Sequence, residues 1–460
     1  MRTADTACQR IAAFAVNPAS SLPRESRRVA SRIVLDSLAV TLAGWHEPGP
    51  QALQRALLPS GDAAAVRVPW SGARYSPDDA CLLFGMSSHV LDYDDVSMLS
   101  VCHPSVPVFS ALYVLAQQVR VSGADFLDAL AVGTEVLIRS GQAMGFRHYD
   151  LGFHATATLG TLGVAAACAR VLGLSVDEAT HALAIAASSS AGVRTNFGTM
   201  VKSLHVGQAA SSGLRAARFA RAGVQGAADA LEGRGWLHAF SGGEVSQWPV
   251  GLALGQPFAM VDPGFEQKRY PCCYMMHKII QATLDLRREH GLSLEGFDRA
   301  QVLMPSGGCA PLIHPIPSDG LSAKFSGPYA VVGALQDGRV NLASFDDSAV
   351  SRAAVRRAIG QVELTESASA AQHGSDVGGA PVSVTLCYAD GRRYQKTITA
   401  SPGSAQDPLT DHDLADKWRD CVTRGLPGMD ARRVDELFDA GLAFASVADA
   451  GSWLLQFSQN

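Results

Sequence analysis

The sequence predicts a mainly α protein of two domains. A large all-helical domain is expected over residues 1–262, completed by 401–460, with a smaller α+β domain over 263–400. Three observations carry this. The chain has 460 residues, more than one ordinary core accommodates. Hydrophobic residues make up 47% and aromatics only 7%, with glycine and alanine abundant, a balance that suits closely approaching helices. Near Asp262-Pro263-Gly264 helical periodicity gives way to the alternation of strands.

The elements follow in order. Pro23, just inside a start signal at Ser20 and Ser21, leads into Val29, Ile33, Leu35, Leu38 and Leu42, and Gly44 stops the run. Over 125–140, Phe126, Leu127, Leu130, Leu137 and Ile138 fall near one helical face. Residues 156–172 are almost wholly small or apolar and end at Gly173, the pattern of a helix at the centre of a core. Ser175 and Glu178 form a capping box for a helix over 175–187, and another helix spans 208–222, ended by Gly223. In the smaller domain, 299–304 reads as a strand stopped by Pro305, and 382–388 with 392–399 as a hairpin around Asp390-Gly391. Helices are expected over 273–289 and 329–336, and after Pro408 the pattern turns helical again.

The formal net charge of −5 gives no general attraction for nucleic acid or an anionic membrane, so an anionic substrate requires a local basic pocket. Nine cysteines, an odd number without CxxC spacing, argue against a disulfide framework and for a reducing cytoplasm. The first nine residues lack an apolar signal-peptide region, and no stretch reaches the ~18 uncharged apolar residues of a membrane span. Gly160, Gly163 and Gly173 lie in a helical context, so they form no nucleotide loop, and no GxSxG elbow is present.

Ionisable residues concentrate in a few places. His89, Asp92, Asp94, Asp95 and His103 fall within fifteen residues, too many carboxylates and imidazoles to bury idly. A solvated loop or helix cap is the alternative. Their spacing matches neither a zinc signature nor a calcium loop, so no metal is expected. His154 stands immediately before the apolar run, where helix N–H groups favour a neutral imidazole. Lys202 and His205 lie between apolar helices, where a lysine needs an anionic partner or an exit to solvent. Lys268 and Arg269 precede a proline-broken turn, and His277 follows on the next helix. Cys272 and Cys273 read as packing residues.

Taken together, five ordered segments resemble the MmgE/PrpD family: 89–105 (HVLDYDDVSMLSVCHPS), 152–174 (GFHATATLGTLGVAAACARVLGL), 198–223 (GTMVKSLHVGQAASSGLRAARFARAG), 268–277 (KRYPCCYMMH) and 324–338 (KFSGPYAVVGALQDG). The family includes 2-methylcitrate dehydratase, cis-aconitate decarboxylase and iminodisuccinate epimerase. The resemblance implies a helical domain with a smaller α+β lid, a homodimer, no cofactor, and an active site between the domains. It places Asp92, His103, His154, Lys202, Lys268, His277 and Tyr329 in the pocket. One departure concerns substrate choice. The decarboxylase branch looks like Asp-Asp-Thr after the two aspartates, whereas this chain has Asp95-Val96-Ser97, and its loop before His103 is one residue longer.

The chemistry expected is proton transfer next to a carboxylate of a small di- or tricarboxylic acid. His103 is the expected principal acid or base, oriented by Asp92, with His154, His277 and Tyr329 completing the catalytic set. Lys202 and Lys268 grip substrate carboxylates, and His89 and Ser97 contact substrate. A lyase is the first reading and an epimerase or isomerase of a small dicarboxylate the second. A non-catalytic helical binding protein is the remote third.

Overall fold

A computed structural model describes residues 5–62, 64–367 and 375–457. The chain divides into two compact units, Met1–Phe265 with Leu414–Asn460, and Glu266–Asp413.

The larger unit is built around the helix Ala155–Val171, whose residues from Ala155 to Ala169 are all buried. The helices Ser105–Leu115, Gly123–Met144, Val176–Ser189 and Met200–Arg221 pack on it. Small residues set these approaches. A Cβ on Gly163 would lie 2.4 Å from the Gly133 carbonyl oxygen, so the two helices cross backbone to backbone. A Cβ on Gly85 would lie 2.5 Å from Gly207 Cα. That contact sets the helix Pro77–His89 against Met200–Arg221, and it carries His89 toward Lys202 and His205. The helix Ala431–Leu442 packs on Arg27–Gly44, and the Tyr113 hydroxyl donates to the Leu454 carbonyl. A two-residue ladder, Val66–Arg67 with Arg74–Tyr75, is the departure from an all-helical reading of this unit.

The smaller unit holds a four-stranded sheet in the order Val362–Glu366, Phe297–Met304, Val382–Tyr388, Arg393–Ile398. The first pair is parallel and the others antiparallel, with Val302 opposite Val384 and Leu386 opposite Tyr394. The helices His277–His290 and Gly327–Asp337 pack together and, with the sheet, bury Ile279, Ile280, Val302, Val331 and Val384.

Two elements depart from expectation. The helix expected over 208–222 begins at Met200, because the Thr199 side chain caps it by accepting from Val201 N–H. Lys202 and His205 therefore ride on its first two turns. The helix expected from 273 begins with a 3-10 turn, Tyr274–Met276, and its α-helical part starts at His277.

Candidate functional site

The site begins where the helix Pro77–His89 ends. The chain from 90 to 104 has no regular helix or strand, only isolated bridge residues, and two of its residues are backbone-strained. Asp92 has φ 51° and Val101 has φ 48°. Aspartate tolerates the left-handed region, whereas a β-branched valine there is a genuine outlier. Ser97 and Cys102 exchange backbone hydrogen bonds across the turn that contains Val101, which holds it immediately before His103. At the far end the Asp95 carboxyl accepts from both the backbone N–H and the hydroxyl of Ser105, the first residue of the next helix.

This loop gathers two carboxylates and two imidazoles. Asp94 Oδ2 lies 2.8 Å from His89 Nδ1 and 3.1 Å from His103 Nδ1. A carboxylate oxygen accepts, so the His89 ring carries its proton on Nδ1; His103 turns Nδ1 toward the same oxygen, and its Nε2 edge lies 3.9 Å from Asp92 Oδ1. Lys202 reaches the same Asp92 oxygen at 2.6 Å. Exposure separates two roles. The His103, Lys202 and Asp92 side chains retain 13%, 10% and 6% of their surface, while those of His89 and Asp94 retain none. The first three can meet a substrate, and the last two can act only through a neighbour. Asp94 lies nearer to His103 than Asp92 does, and Asp92 sits between His103 at 3.9 Å and Lys202 at 2.6 Å.

His154 occupies the N-cap of Ala155–Val171, and its Nδ1 lies 3.1 Å from His205 Nδ1. One of these nitrogens must donate and the other accept, so at most one of the rings is charged. The His154 ring stacks 5.9 Å from that of His89. Its Nε2 is buried and has no hydrogen-bond partner among the described residues.

Burial decides most of the charge states. It lowers His89 to about 3, with Asp94 opposing the shift only in part. It holds His154 well below the usual imidazole value, helped by His89 and Lys202, and it lowers His205 in the same direction. For Asp94, burial pushes upward, but His103 and His89 outweigh it and keep the carboxyl well below the ordinary range. Burial carries Asp95 up to about 8 against the hydrogen bonds from Ser105. At neutral pH the site thus holds neutral imidazoles at 89, 154 and 205, an ionised Asp94 and a largely protonated Asp95.

Ser97 is buried, and its hydroxyl has no partner among the described residues. In the smaller unit, Lys268 is buried, and so is His277 at its helix start, with the Tyr270 and Tyr274 rings each 5.3 Å away. Tyr329 lies in that unit's hydrophobic core, where its hydroxyl donates to the Ser344 carbonyl and burial pushes the phenol up to about 12. Such a position suits packing better than proton transfer. Cys272 and Cys273 are buried in the same core.

One ligand atom from each of His89, Asp92, Asp94 and His103 lies within 4.8 Å of the others, so this set has the donors to hold a divalent ion. The Lys202 ammonium, 2.6 Å from Asp92, already supplies a positive charge there.

A helical domain that presents an imidazole edge backed by a buried carboxylate, beside a lysine, defines an acid–base site for an anionic substrate. The chain belongs to the MmgE/PrpD family, whose N-terminal domain matches residues 9–248 and C-terminal domain residues 270–440. It is 29% identical to the cis-aconitate decarboxylase of Mus musculus over 409 residues, covering 85% of this chain and 81% of that protein. The Homo sapiens cis-aconitate decarboxylase is 28% identical, with 84% and 82% covered. The cis-aconitate decarboxylase-like protein oryM of Aspergillus oryzae is 26% identical, with 95% and 94% covered.

Proposed function

We propose that this chain is a lyase acting on a small tricarboxylic acid by proton transfer next to a carboxylate, with cis-aconitate the first substrate to test. The observation that carries the reading is the relay Asp94–His103–Asp92–Lys202, with only its outer three members reachable. The names of the relatives support the choice of acid.

His103 Nε2 moves the proton. Asp94 holds the ring with Nδ1 toward it and stabilises the imidazolium, the form in which Nε2 delivers the proton that decarboxylation takes up. The Lys202 ammonium stabilises the negative charge that develops on the carboxylate flanking the reacting carbon, and it does so in a largely water-excluded place. Asp92 holds the Lys202 ammonium in place while no substrate is bound. Neutral His154 offers Nε2 as a further hydrogen-bonding edge. Decarboxylation of cis-aconitate takes up one proton and releases one carbon dioxide, leaving a five-carbon unsaturated diacid. Dehydration of a hydroxylated tricarboxylate instead removes a proton next to a carboxylate, with the same imidazole edge accepting it.

Lys268 and His277, from the smaller unit, are proposed substrate contacts on the strength of the family motif at 268–277. Ser97 is proposed to take the place of the hydroxyl that Val96 lacks. No organic cofactor and no metal enters the proposed reaction. A homodimer in the cytoplasm is part of the same proposal, and light scattering behind size exclusion tests its oligomeric component. No helix among the described residues is long and apolar enough to cross a membrane.

The testing experiment incubates the protein in heavy water with cis-aconitate and a panel of other di- and tricarboxylates. Carbon dioxide release with one deuterium gained from cis-aconitate is expected. Deuterium exchange with inversion and no loss of carbon dioxide or water would make the chain an epimerase.

A further inference from the structure

The helix Asp411–Gly425 carries one lysine, Lys417, that is buried rather than solvated. Its side chain and that of Asp36 are each 2% exposed, and Lys417 Nζ lies 2.6 Å from Asp36 Oδ1. The same ammonium donates to the Tyr93 carbonyl at 2.7 Å and sits 4.0 Å from the centre of the Tyr93 ring. Tyr93 is the residue between Asp92 and Asp94.

Stability alone does not account for this arrangement. Removing two charges from water costs as much as their attraction returns, and an apolar pair of similar volume is often as stable. An apolar pair, however, cannot donate to the Tyr93 carbonyl. The loop needs such a donor. Its backbone runs from 90 to 104 with little ladder bonding, and Asp92 is held in the left-handed region. The Asp95–Ser105 contacts fix the downstream side of Asp92 and Asp94, and the Ser97–Cys102 bridge fixes the turn beyond. The grip on Tyr93 fixes the peptide between the carboxylates themselves.

We propose that Lys417, held in place by Asp36, is a positioning residue of the active site, fixing the Tyr93 peptide so that Asp92 faces Lys202 and Asp94 stays against His103 Nδ1. It touches neither substrate nor the reacting atoms. The inference rests on the reading of His103 as the acid–base group.

Two double variants isolate the donor. D36N/K417Q removes both charges and keeps an N–H that reaches toward Tyr93. D36N/K417M removes the same charges at nearly the same volume and keeps no donor. Each is assayed for kcat and KM with cis-aconitate, for thermal melting, and by histidine-selective ¹⁵N NMR at a pH where the His103 ring is neutral. The glutamine variant is expected to stay near wild type. The methionine variant is expected to lose about 10²-fold in kcat, the scale of a small misplacement of catalytic groups, with KM little changed. Its His103 signal should also leave the Nδ1–H tautomer. The proposal is overturned if the two variants behave alike, or if activity only tracks melting temperature. It is equally overturned if the methionine variant fails to fold while the glutamine variant folds, since the pair would then be a folding element. A wild-type protein inactive on cis-aconitate would count against the function reading, and the tautomer comparison would still decide this one.

Discussion

Asp94→Asn is the substitution that should reveal most about the site, because Asp94 touches nothing outside the protein. Its Oδ2 pairs with the buried His89 ring at 2.8 Å and lies 3.1 Å from Nδ1 of the partly exposed His103. An asparagine keeps the volume but loses the charge, and its amide nitrogen can only donate. A hydrogen bond to a charged group is worth about 1.5–3 kcal/mol, and about 1.4 kcal/mol is a factor of ten in rate. Loss of the bond to His103 as its ring becomes charged thus costs roughly 10–10²-fold. A donating amide also cannot stabilise the imidazolium that must deliver the proton, and the total should approach the ~10²–10⁴-fold of a lost acid–base group. The assay is kcat/KM for carbon dioxide release from cis-aconitate, with a melting curve to confirm folding. KM should change little, since Asp94 is fully buried. A folded Asp94→Asn enzyme within about threefold of wild type would refute the assignment of Asp94 as the group that orients the base.

Further outcomes are expected. His103→Ala should lower kcat by ~10²–10⁴-fold, while Lys202→Ala should both raise KM and lower kcat, and Cys272→Ser should leave steady-state kinetics unchanged. Activity should survive exhaustive chelation, with elemental analysis finding no stoichiometric metal; one tightly held ion at Asp92, Asp94 and His103 would contradict the proton-transfer account. Stability should fall on both sides of neutrality. His89 and His148, lowered by burial to about 3 and about 4, contribute stability that is complete above the ordinary histidine value and lost as pH drops through those values, which melting curves across the acid range will show. Asp95, raised to about 8, acts in the opposite sense: its contribution is complete below the ordinary aspartate value and lost as pH rises through 8, and Asp95→Asn should remove that alkaline slope.

The elements legible in the sequence were those with strong local signals. The capping box at Ser175 and Glu178, the apolar run behind His154 and the Asp390-Gly391 hairpin all form where they are expected. The start at Met200 carries little local signal, because only the Thr199 cap marks it and no apolar periodicity precedes Lys202. The strand Val362–Glu366 escaped notice because it lies at a sheet edge with most of its residues exposed or half-exposed, so little apolar alternation marks it. Within the site, His103, Asp92 and Lys202 stood out as costly groups in apolar surroundings. The choice between Asp92 and Asp94 as the partner of His103 turned on the left-handed backbone at Asp92, which spacing does not reveal. His205 was visible only as a neighbour of Lys202, and its pairing with His154 depends on the crossing of Ala155–Val171 and Met200–Arg221, where a Cβ on Gly213 would lie 2.5 Å from Val164. Lys417 lies on a helix rich in charges, where one buried lysine looks like any solvated one.

The central claim is that His103 transfers a proton at a carbon next to a substrate carboxylate. The most direct measurement is mass spectrometry of the product formed from cis-aconitate in heavy water by the wild-type protein and by His103→Ala. Carbon dioxide release with one deuterium in each product molecule is expected for the wild type, and loss of both together in the variant. Turnover by His103→Ala at the wild-type rate, with the same deuterium content, would contradict it.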